Sequence, residues 1–270
     1  MHARLTLTVC AAFTGLLFAM LGQAEIDAQS FVGVWLLDAG HGDRAHDSSG
    51  RDHQGVIEGN GYEWIDGPYG RAVALSGAGD YIAVERFGEV VPTEDITVLI
   101  WARIDDAGRN QPLLSLDPFD VNEGGVWALG RLTVLMPWDG RAQWHYGTPF
   151  QFATIPFPDA ALGEWWHWAF VSSTSAGLIT VYMNGVEAEN QHVGGAPAEL
   201  QRRPDPFHIG GGLGDTFLGA VDEVAVYDGV LEVADILAIM DDGLGRYAVG
   251  FAVEPKDKLA SAWGRIKSAK

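Results

Sequence analysis

The segment Phe217–Leu244 constrains the fold more than any other part of this chain, because its apolar periodicity changes once along its length. Asp222, Val224 and Val226 alternate with a period of two, which is the spacing of a half-buried strand. Further along, apolar residues recur at helical spacing, and Gly243 stands where a helix can end with a positive φ. The segment therefore predicts a strand that buries a carboxylate, followed by one short helix.

The predicted helix has an apolar stripe and an imperfect N-terminal cap. Glu232 stands at the capping position, where Ser or Thr is usual, and Asp235 supplies the acid of a capping box. A glutamate still suits the positive end of the helix dipole, so we expect a slightly weaker helix. The stripe that we expect to face the sheet consists of Val233, Leu237, Met240 and Leu244.

Short apolar runs separated by Gly, Asp, Asn or Pro fill the middle of the chain, with almost no helical pattern. This spacing predicts an all-β sandwich, and Asn184-Gly185 predicts a two-residue hairpin. The predicted strands span residues 72–75, 81–84, 96–104, 112–116, 126–129, 132–136, 142–146, 165–172, 178–183, 186–190, 207–209 and 217–227.

A series of motifs follows a fixed order along the chain. An apolar strand runs into Asp38, the tetrapeptide Asp47–Gly50 follows, and glycine-led strands then begin at Gly70 and Gly77. In this order the chain resembles the LamG-like jelly-roll family, within the concanavalin A-like lectin/glucanase superfamily, over about residues 31–244. The resemblance implies a jelly-roll β-sandwich with one short C-terminal helix, in which the first and last strands lie side by side.

A metal site is expected at Asp222, because an ionised carboxylate on a core face needs compensation. If the first strand runs antiparallel to residues 219–227, Asp38 comes near Asp222, and Asp47 could join from the following loop. Carboxylates and loop carbonyls are ligands that calcium takes, and the resemblance implies a structural calcium between the first and last strands. The alternative is that Asp222 accepts hydrogen bonds from turn amides without an ion.

A cluster of aromatic and polar residues is the candidate ligand site. Its members are Trp138, Gln143, Trp144, His145 and Tyr146. By strand parity Trp144 and Tyr146 share one face, whereas Gln143 and His145 share the other. Sugars stack on exposed rings and offer hydroxyls to polar side chains, so one pair is expected in the core and the other on a sugar-binding sheet. The alternative is that the rings only fill the sandwich.

Catalysis is the competing class of function, since the superfamily includes glucanases. Their chemistry needs two carboxylates ~5–5.5 Å apart, supplied by a Glu-x-Asp-x-x-Glu strand, and this sequence has no such run. Glu187 and Glu189 share a face but follow the predicted hairpin, where solvated residues are expected. The sequence also has no nucleophile elbow, phosphate loop or zinc-protease motif, so we expect no enzyme.

The two ends of the chain differ from its middle. Residues 1–24 combine an early basic residue, an apolar run and a small-residue cleavage site, which predicts a secretory signal peptide; an uncleaved anchor is the alternative. The sandwich is expected over residues 25–247. Residues 248–270 form a basic amphipathic tail, which either docks on the acidic domain or serves as an attachment or sorting segment.

The chain is strongly acidic, with a net charge of −19. Loss of residues 1–24 would remove Arg4 and leave 36 acidic against 16 basic residues, a net charge of −20. Nucleic acids and anionic membranes are therefore poor partners, and no membrane insertion is expected after signal cleavage. The sequence predicts a secreted or cell-surface module that recognises an extracellular glycan or protein. An architectural or adhesive module without a small ligand is the alternative.

Overall fold

The computed structural model describes residues 26–109, 111–116, 133–136, 141–145, 152–189, 191–193, 199–200, 202–212 and 215–248. The predicted signal peptide, the strand expected at 126–129 and the tail beyond Ala248 lie outside the described residues.

Strands dominate the described part of the chain, with a single α-helix near its C-terminal end. They are β1 (Phe31–Trp35), β2 (Arg44–Ala45), β3 (Gly55–Glu58), β4 (Glu63–Gly67), β5 (Gly70–Ser76), β6 (Tyr81–Val84), β7 (Asp95–Ile104), β8 (Gln111–Ser115), β9 (Thr133–Met136), β10 (Arg141–His145), β11 (Phe152–Pro156), β12 (Trp165–Ser173), β13 (Leu178–Met183), β14 (Val186–Glu187), β15 (Gln191–Val193), β16 (Phe207–Ile209), β17 (Gly211–Gly212), β18 (Asp215–Thr216) and β19 (Leu218–Asp228), and the helix is α1 (Val233–Asp242).

Two antiparallel sheets form the sandwich. Sheet A has the order β14-β13-β12-β7-β19-β5-β4, with β1 also paired to β19, and sheet B has the order β15-β11-β10-β9-β8-β16-β6-β3-β2. The small hairpin β17–β18 stands apart from both. The main core lies between the sheets and includes the fully buried side chains of Ile100, Trp168, Leu114, Trp144 and Ile209. The predicted all-β jelly-roll sandwich with one short helix is confirmed.

The first and last strands are neighbours, as predicted. β1 runs antiparallel to β19, with Phe31 opposite Tyr227 and Trp35 opposite Val224. β5 also pairs with β19, but with its first part, so that Val73 lies opposite Val221. β1 and β5 therefore succeed one another beside β19, and their junction falls at residues 222–223. The pairing of β19 with β7 is irregular between Asp222 and Ala225, which marks a bulge at the same place.

The helix begins and ends as the sequence predicts. Gly243 has a φ of 82° at its C-terminal end, and its N–H donates to the carbonyl of Ile239. At the other end the Glu232 side chain makes no capping hydrogen bond. The Asp235 carboxylate accepts one from the backbone of Glu232 instead, so half of the capping box forms.

The expected inward face of the helix is wrong for Val233 and Leu237, while Leu244 is buried as expected. Val233 and Leu237 are 41% and 38% exposed, whereas Ile236 and Ile239 are buried in a second apolar cluster. That cluster includes Leu99, on the face of sheet A that points away from the main core. The helix carries apolar residues on two adjoining stripes, and packing against the sheet decides which of them is buried. Periodicity alone does not distinguish them.

Candidate functional site

A row of residues crosses the middle strands of sheet B on the face away from the core. The register places His145 opposite Thr133, Thr133 opposite Ser115, and Ser115 opposite His208. Directly paired residues of antiparallel strands point to the same face, so His145, Ser115 and His208 share one side of the sheet. The adjoining residue Trp144 points the other way, into the core. We call Tyr81, Ser115, Gln143, His145 and His208 the polar face.

Two members of the polar face are held against each other. The Nε2 atom of His145 lies 3.1 Å from the Oε1 atom of Gln143, and both side chains are half-buried. Burial lowers the pKa of His145 to about 4, so its imidazole is neutral at physiological pH. The pair therefore presents a neutral amide and a neutral imidazole, which can exchange hydrogen bonds with uncharged ligands.

The centre of the polar face is covered by the β17–β18 hairpin. Ser115 is fully buried, and a Cβ atom on Gly212 would lie 1.9 Å from the Ser115 Oγ atom. His208 is also buried, and burial lowers its pKa to about 4, while the Tyr81 ring packs edge-on against it at 5.3 Å. The accessible part of the face is therefore at Gln143 and His145 on one side of the hairpin and Tyr81 on the other.

Trp144 lies in the core, which corrects its expected role as a ligand-binding ring. The side chain is fully buried, its Nε1–H donates to Ser172 Oγ at 2.9 Å, and its ring packs 5.3 Å from that of Phe170. Of the two faces of β10, the face of Trp144 is therefore the one turned to the core, as expected for one of the two pairs. Strand parity correctly separates Trp144 from Gln143 and His145. Trp138 and Tyr146 lie outside the described residues.

A pair of carboxylates occupies the junction between β1 and β5. Asp222 is fully buried; its Oδ2 atom accepts a hydrogen bond of 3.0 Å from the Tyr69 backbone N–H, and its Oδ1 atom has no hydrogen-bond partner among the described residues. Asp38 accepts a bond of 3.1 Å from the Arg71 N–H. Both carboxylates therefore approach the turn that joins β4 to β5. Gly67 leaves room for Asp222, because a Cβ atom there would lie 2.5 Å from Asp222 Oδ2, and Gly70 leaves room for Asp38 in the same way.

Burial raises the pKa of Asp222 to about 8. The negative charges of Glu223 and Asp38 raise it further, and the hydrogen bond from the Tyr69 N–H opposes the rise. Two neighbouring acids with a buried, unpartnered oxygen form a site that favours either a proton or a cation.

Glu223 is a buried acid that the sequence analysis did not select. It has a φ of 45° and is 2% exposed, and its Oε2 atom accepts a hydrogen bond of 2.6 Å from the Leu244 N–H. The bulge thus directs Asp222 toward the β4–β5 turn and Glu223 toward the chain after α1. The sequence signal for a buried Glu223 was its position next to Asp222 inside a strand. Two adjacent strand residues are both buried only where the strand is irregular or is covered on both faces.

Asp47 does not form the expected third member of the carboxylate site. Its Oδ1 atom accepts hydrogen bonds from the N–H groups of Val34 (3.0 Å) and Ser49 (2.9 Å). Its Oδ2 atom accepts from Ser49 Oγ (2.9 Å) and from the His53 N–H (2.8 Å). Within the described ranges no three His, Cys, Asp or Glu side chains form a group that could hold a metal. Asp47 instead links its loop to β1 through the hydrogen bond from the Val34 N–H. The carboxylate site therefore consists of Asp38 and Asp222.

Residues 76–237 match a family model of the Laminin G type, which is described as the concanavalin A-like lectin/glucanases superfamily. This match covers more than half of the chain. The chain belongs to the concanavalin A-like lectin/glucanase superfamily. No curated protein matches it by sequence. In the part of the chain that the structure describes, helices long and apolar enough to cross a membrane are absent.

Solved structures of this superfamily's fold resemble the chain at low identity. Domain 4 of AbnA, a GH43 extracellular arabinanase from Geobacillus stearothermophilus solved with arabinotriose, has a TM-score of 0.61 and 21% identity over 78% of this chain and 98% of that one. The receptor-binding domain of botulinum neurotoxin C/D mosaic serotype has a TM-score of 0.60 and 13% identity, over 80% of this chain and 52% of that one. Trypanosoma rangeli sialidase has a TM-score of 0.57 and 17% identity, over 81% of this chain and 34% of that one. These similarities show the fold.

Proposed function

We propose that this chain is a secreted, non-catalytic recognition module that binds a glycan on the polar face of sheet B. The observation that carries the proposal is the Gln143–His145 pair, held at 3.1 Å on the face opposite the core. A sugar hydroxyl both donates and accepts hydrogen bonds, and a neutral imidazole beside an amide offers both functions. The AbnA domain solved with arabinotriose supports the choice of a glycan over a protein ligand.

The residues of the polar face favour binding over catalysis. A glycosidase requires two carboxyl groups beside the scissile bond, and the five members of the polar face include none. The exposed Glu58 and Glu85 lie near Tyr81, beyond the β17–β18 hairpin from the Gln143–His145 pair. The proposal therefore assigns no hydrolytic step to this chain.

The test is a glycan array followed by calorimetry with the bound sugars. His145→Ala and Gln143→Ala should each weaken binding about tenfold, since each removes a hydrogen-bonding group at the exposed part of the face. His46→Ala is the matched control, because it removes an exposed imidazole outside the polar face. An array without any bound sugar would instead favour the architectural or adhesive module, and sugar release dependent on a carboxylate would favour an enzyme.

The proposal includes a structural calcium held by Asp38 and Asp222. The residues fit such an ion, because Asp222 directs a buried oxygen without a hydrogen-bond partner into a site that a second carboxylate shares. Calcium takes six to eight oxygens, so backbone carbonyls and water would complete its shell. Bound there, the ion would neutralise the two acids and hold the β4–β5 turn against the β1–β19 pair.

A further inference from the structure

A polar cleft of 520 Å³ opens where β1 begins and β19 ends. It lies at the opposite end of this strand pair from Asp222, because Phe31 pairs with Tyr227 there. Ser30, before β1, and Asp228, the last residue of β19, contribute to its wall. Arg51 and Arg202 come into the same wall from two distant segments of the chain. The cleft is separate from both the polar face and the carboxylate site.

Arg51 and Arg202 differ from most arginines of this acidic protein. Neither is joined to a carboxylate by an ion pair within the described residues, although Asp228 lines the same cleft. The arginines of the described chain that do pair with a carboxylate are Arg44, Arg71, Arg86, Arg103, Arg109, Arg203 and Arg246. Two guanidinium groups that have no acidic partner in the described part of the chain thus line one cleft of a protein with a net charge of −19.

Backbone carbonyls hold both guanidinium groups in place. Arg51 donates from Nε to the Phe31 carbonyl at 2.8 Å and from Nη2 to the Gln29 carbonyl. Arg202 donates from Nε to the Val91 carbonyl at 3.2 Å. Within the described ranges, these bonds leave the Nη1 group of Arg51 and both terminal nitrogens of Arg202 for a ligand. A guanidinium fixed in this way loses less side-chain entropy when it binds an anion.

The rest of the cleft indicates the kind of anion. Val32 and Val90 give it an apolar patch, while Ser30 and Asp228 can hydrogen-bond to hydroxyl groups. Its volume lies in the range that encloses a small ligand, and the net charge of −19 on the chain repels densely charged anionic polymers. A saccharide unit with one carboxylate matches this combination of an apolar face, hydroxyls and a single negative charge.

We propose that this cleft binds an acidic saccharide of the uronic acid class, with its carboxylate on Arg51 and Arg202. The planar guanidinium fork matches a carboxylate geometrically. The apolar ring face of the sugar lies toward Val32 and Val90, and the Asp228 carboxylate accepts a hydrogen bond from a sugar hydroxyl. This site does not depend on the polar face.

The proposal is tested by calorimetry with a galacturonic acid disaccharide and with the methyl ester of the same disaccharide. The acid should bind the unmodified chain at least tenfold more tightly than the neutral ester, and added salt should weaken its binding. Arg202→Gln should weaken acid binding about tenfold, because it removes a charge-assisted hydrogen bond. Arg51→Lys keeps the positive charge but loses the planar guanidinium group, and it should also weaken binding of the acid.

Arg246→Gln is the matched control, since it removes the same charge from an exposed arginine that pairs with Asp242 outside the cleft. It should bind the acid as the unmodified chain does. Equal affinity for acid and ester, or unchanged affinity in Arg202→Gln and Arg51→Lys, would overturn the proposal. Tighter binding of a sulfated disaccharide would overturn the choice of a carboxylate. Binding of neutral glycans should be unaffected by both cleft variants, which separates this site from the polar face.

Discussion

Replacement of Asp222 by Asn separates the two ways in which this buried carboxylate can be stabilised. The amide has nearly the same shape and can still accept the hydrogen bond from the Tyr69 N–H, but it neither titrates nor attracts a cation strongly. A protonated Asp222 and a calcium-bound Asp222 therefore predict opposite effects of the same substitution.

The sign of the metal-free effect follows from the raised pKa. Burial raises the pKa of the Asp222 carboxyl group from its ordinary value of 3.8 to about 8, so between these values the folded state holds a proton that the unfolded state has lost. The free energy of unfolding therefore falls as pH rises through this interval, by ~1.4 kcal/mol per pH unit. At pH 7 the accumulated loss is about 4 kcal/mol, a large share of the ~5–15 kcal/mol that stabilises a typical domain.

The assay is urea unfolding of both proteins at pH 5 and pH 7.5, first with a chelator and then with calcium. With the chelator, Asp222→Asn should be the more stable protein at pH 7.5, and its advantage should shrink toward pH 5. With calcium, the unmodified chain should gain stability through binding to its folded state, while the variant should gain little. Asp228→Asn, an exposed aspartate on the same strand, is the control and should show neither effect.

Two results would refute this reasoning. If the stability difference between Asp222→Asn and the unmodified chain were the same at both pH values with the chelator, the carboxyl group would not titrate near pH 8. If calcium stabilised the unmodified chain and the variant equally, the ion would bind elsewhere.

Three further predictions follow from single contacts. Trp144→Ala should lower the free energy of unfolding by ~3–5 kcal/mol in urea titrations, because it empties a fully buried site and leaves Ser172 without its donor. His167 is buried, and burial lowers its pKa to about 4, so the free energy of unfolding should fall as pH drops from 6.5 toward 4; His167→Gln should reduce that loss by up to ~3 kcal/mol. Asp47→Ala should cost ~2–3 kcal/mol and speed proteolysis of the 47–53 loop, while the response of the melting temperature to calcium should persist.

The sequence was sufficient for features set by local pattern. The parity of β10 correctly separates Trp144 from Gln143, whereas the pairing of β1 with β19 was implied by the resemblance to the LamG-like family. Parity does not say which of the two faces is buried, because that depends on sheet A. β4 was missed because it is a half-exposed edge strand in which Glu63 and Asp66 interrupt the apolar alternation.

The sites depend on contacts between distant segments, which pattern reasoning represents poorly. Asp47 looked like a metal ligand because residue type was considered without the four donors that the folded loop directs at it. The burial of Asp222 was predicted correctly from its strand parity, which places a charged residue among core positions. Arg51 and Arg202 gave no comparable signal, since an arginine on a polar loop is ordinary and only the fold shows that the two share a cleft.

The β1–β19 pair carries acidic groups at one end and basic groups at the other, and the distance between them determines whether the two sites interact. Asp222 and Asp228 are separated by six strand residues, or about 20 Å at ~3.4 Å per residue. Two unit charges at that distance interact by less than ~1 kcal/mol even at an effective dielectric constant of about 20. Asp222→Asn should therefore change uronate affinity by less than about fivefold. A larger loss, measured by the same calorimetry, would show that the substitution disturbs the register of β1, and hence Ser30 and the carbonyl of Phe31 that position the cleft.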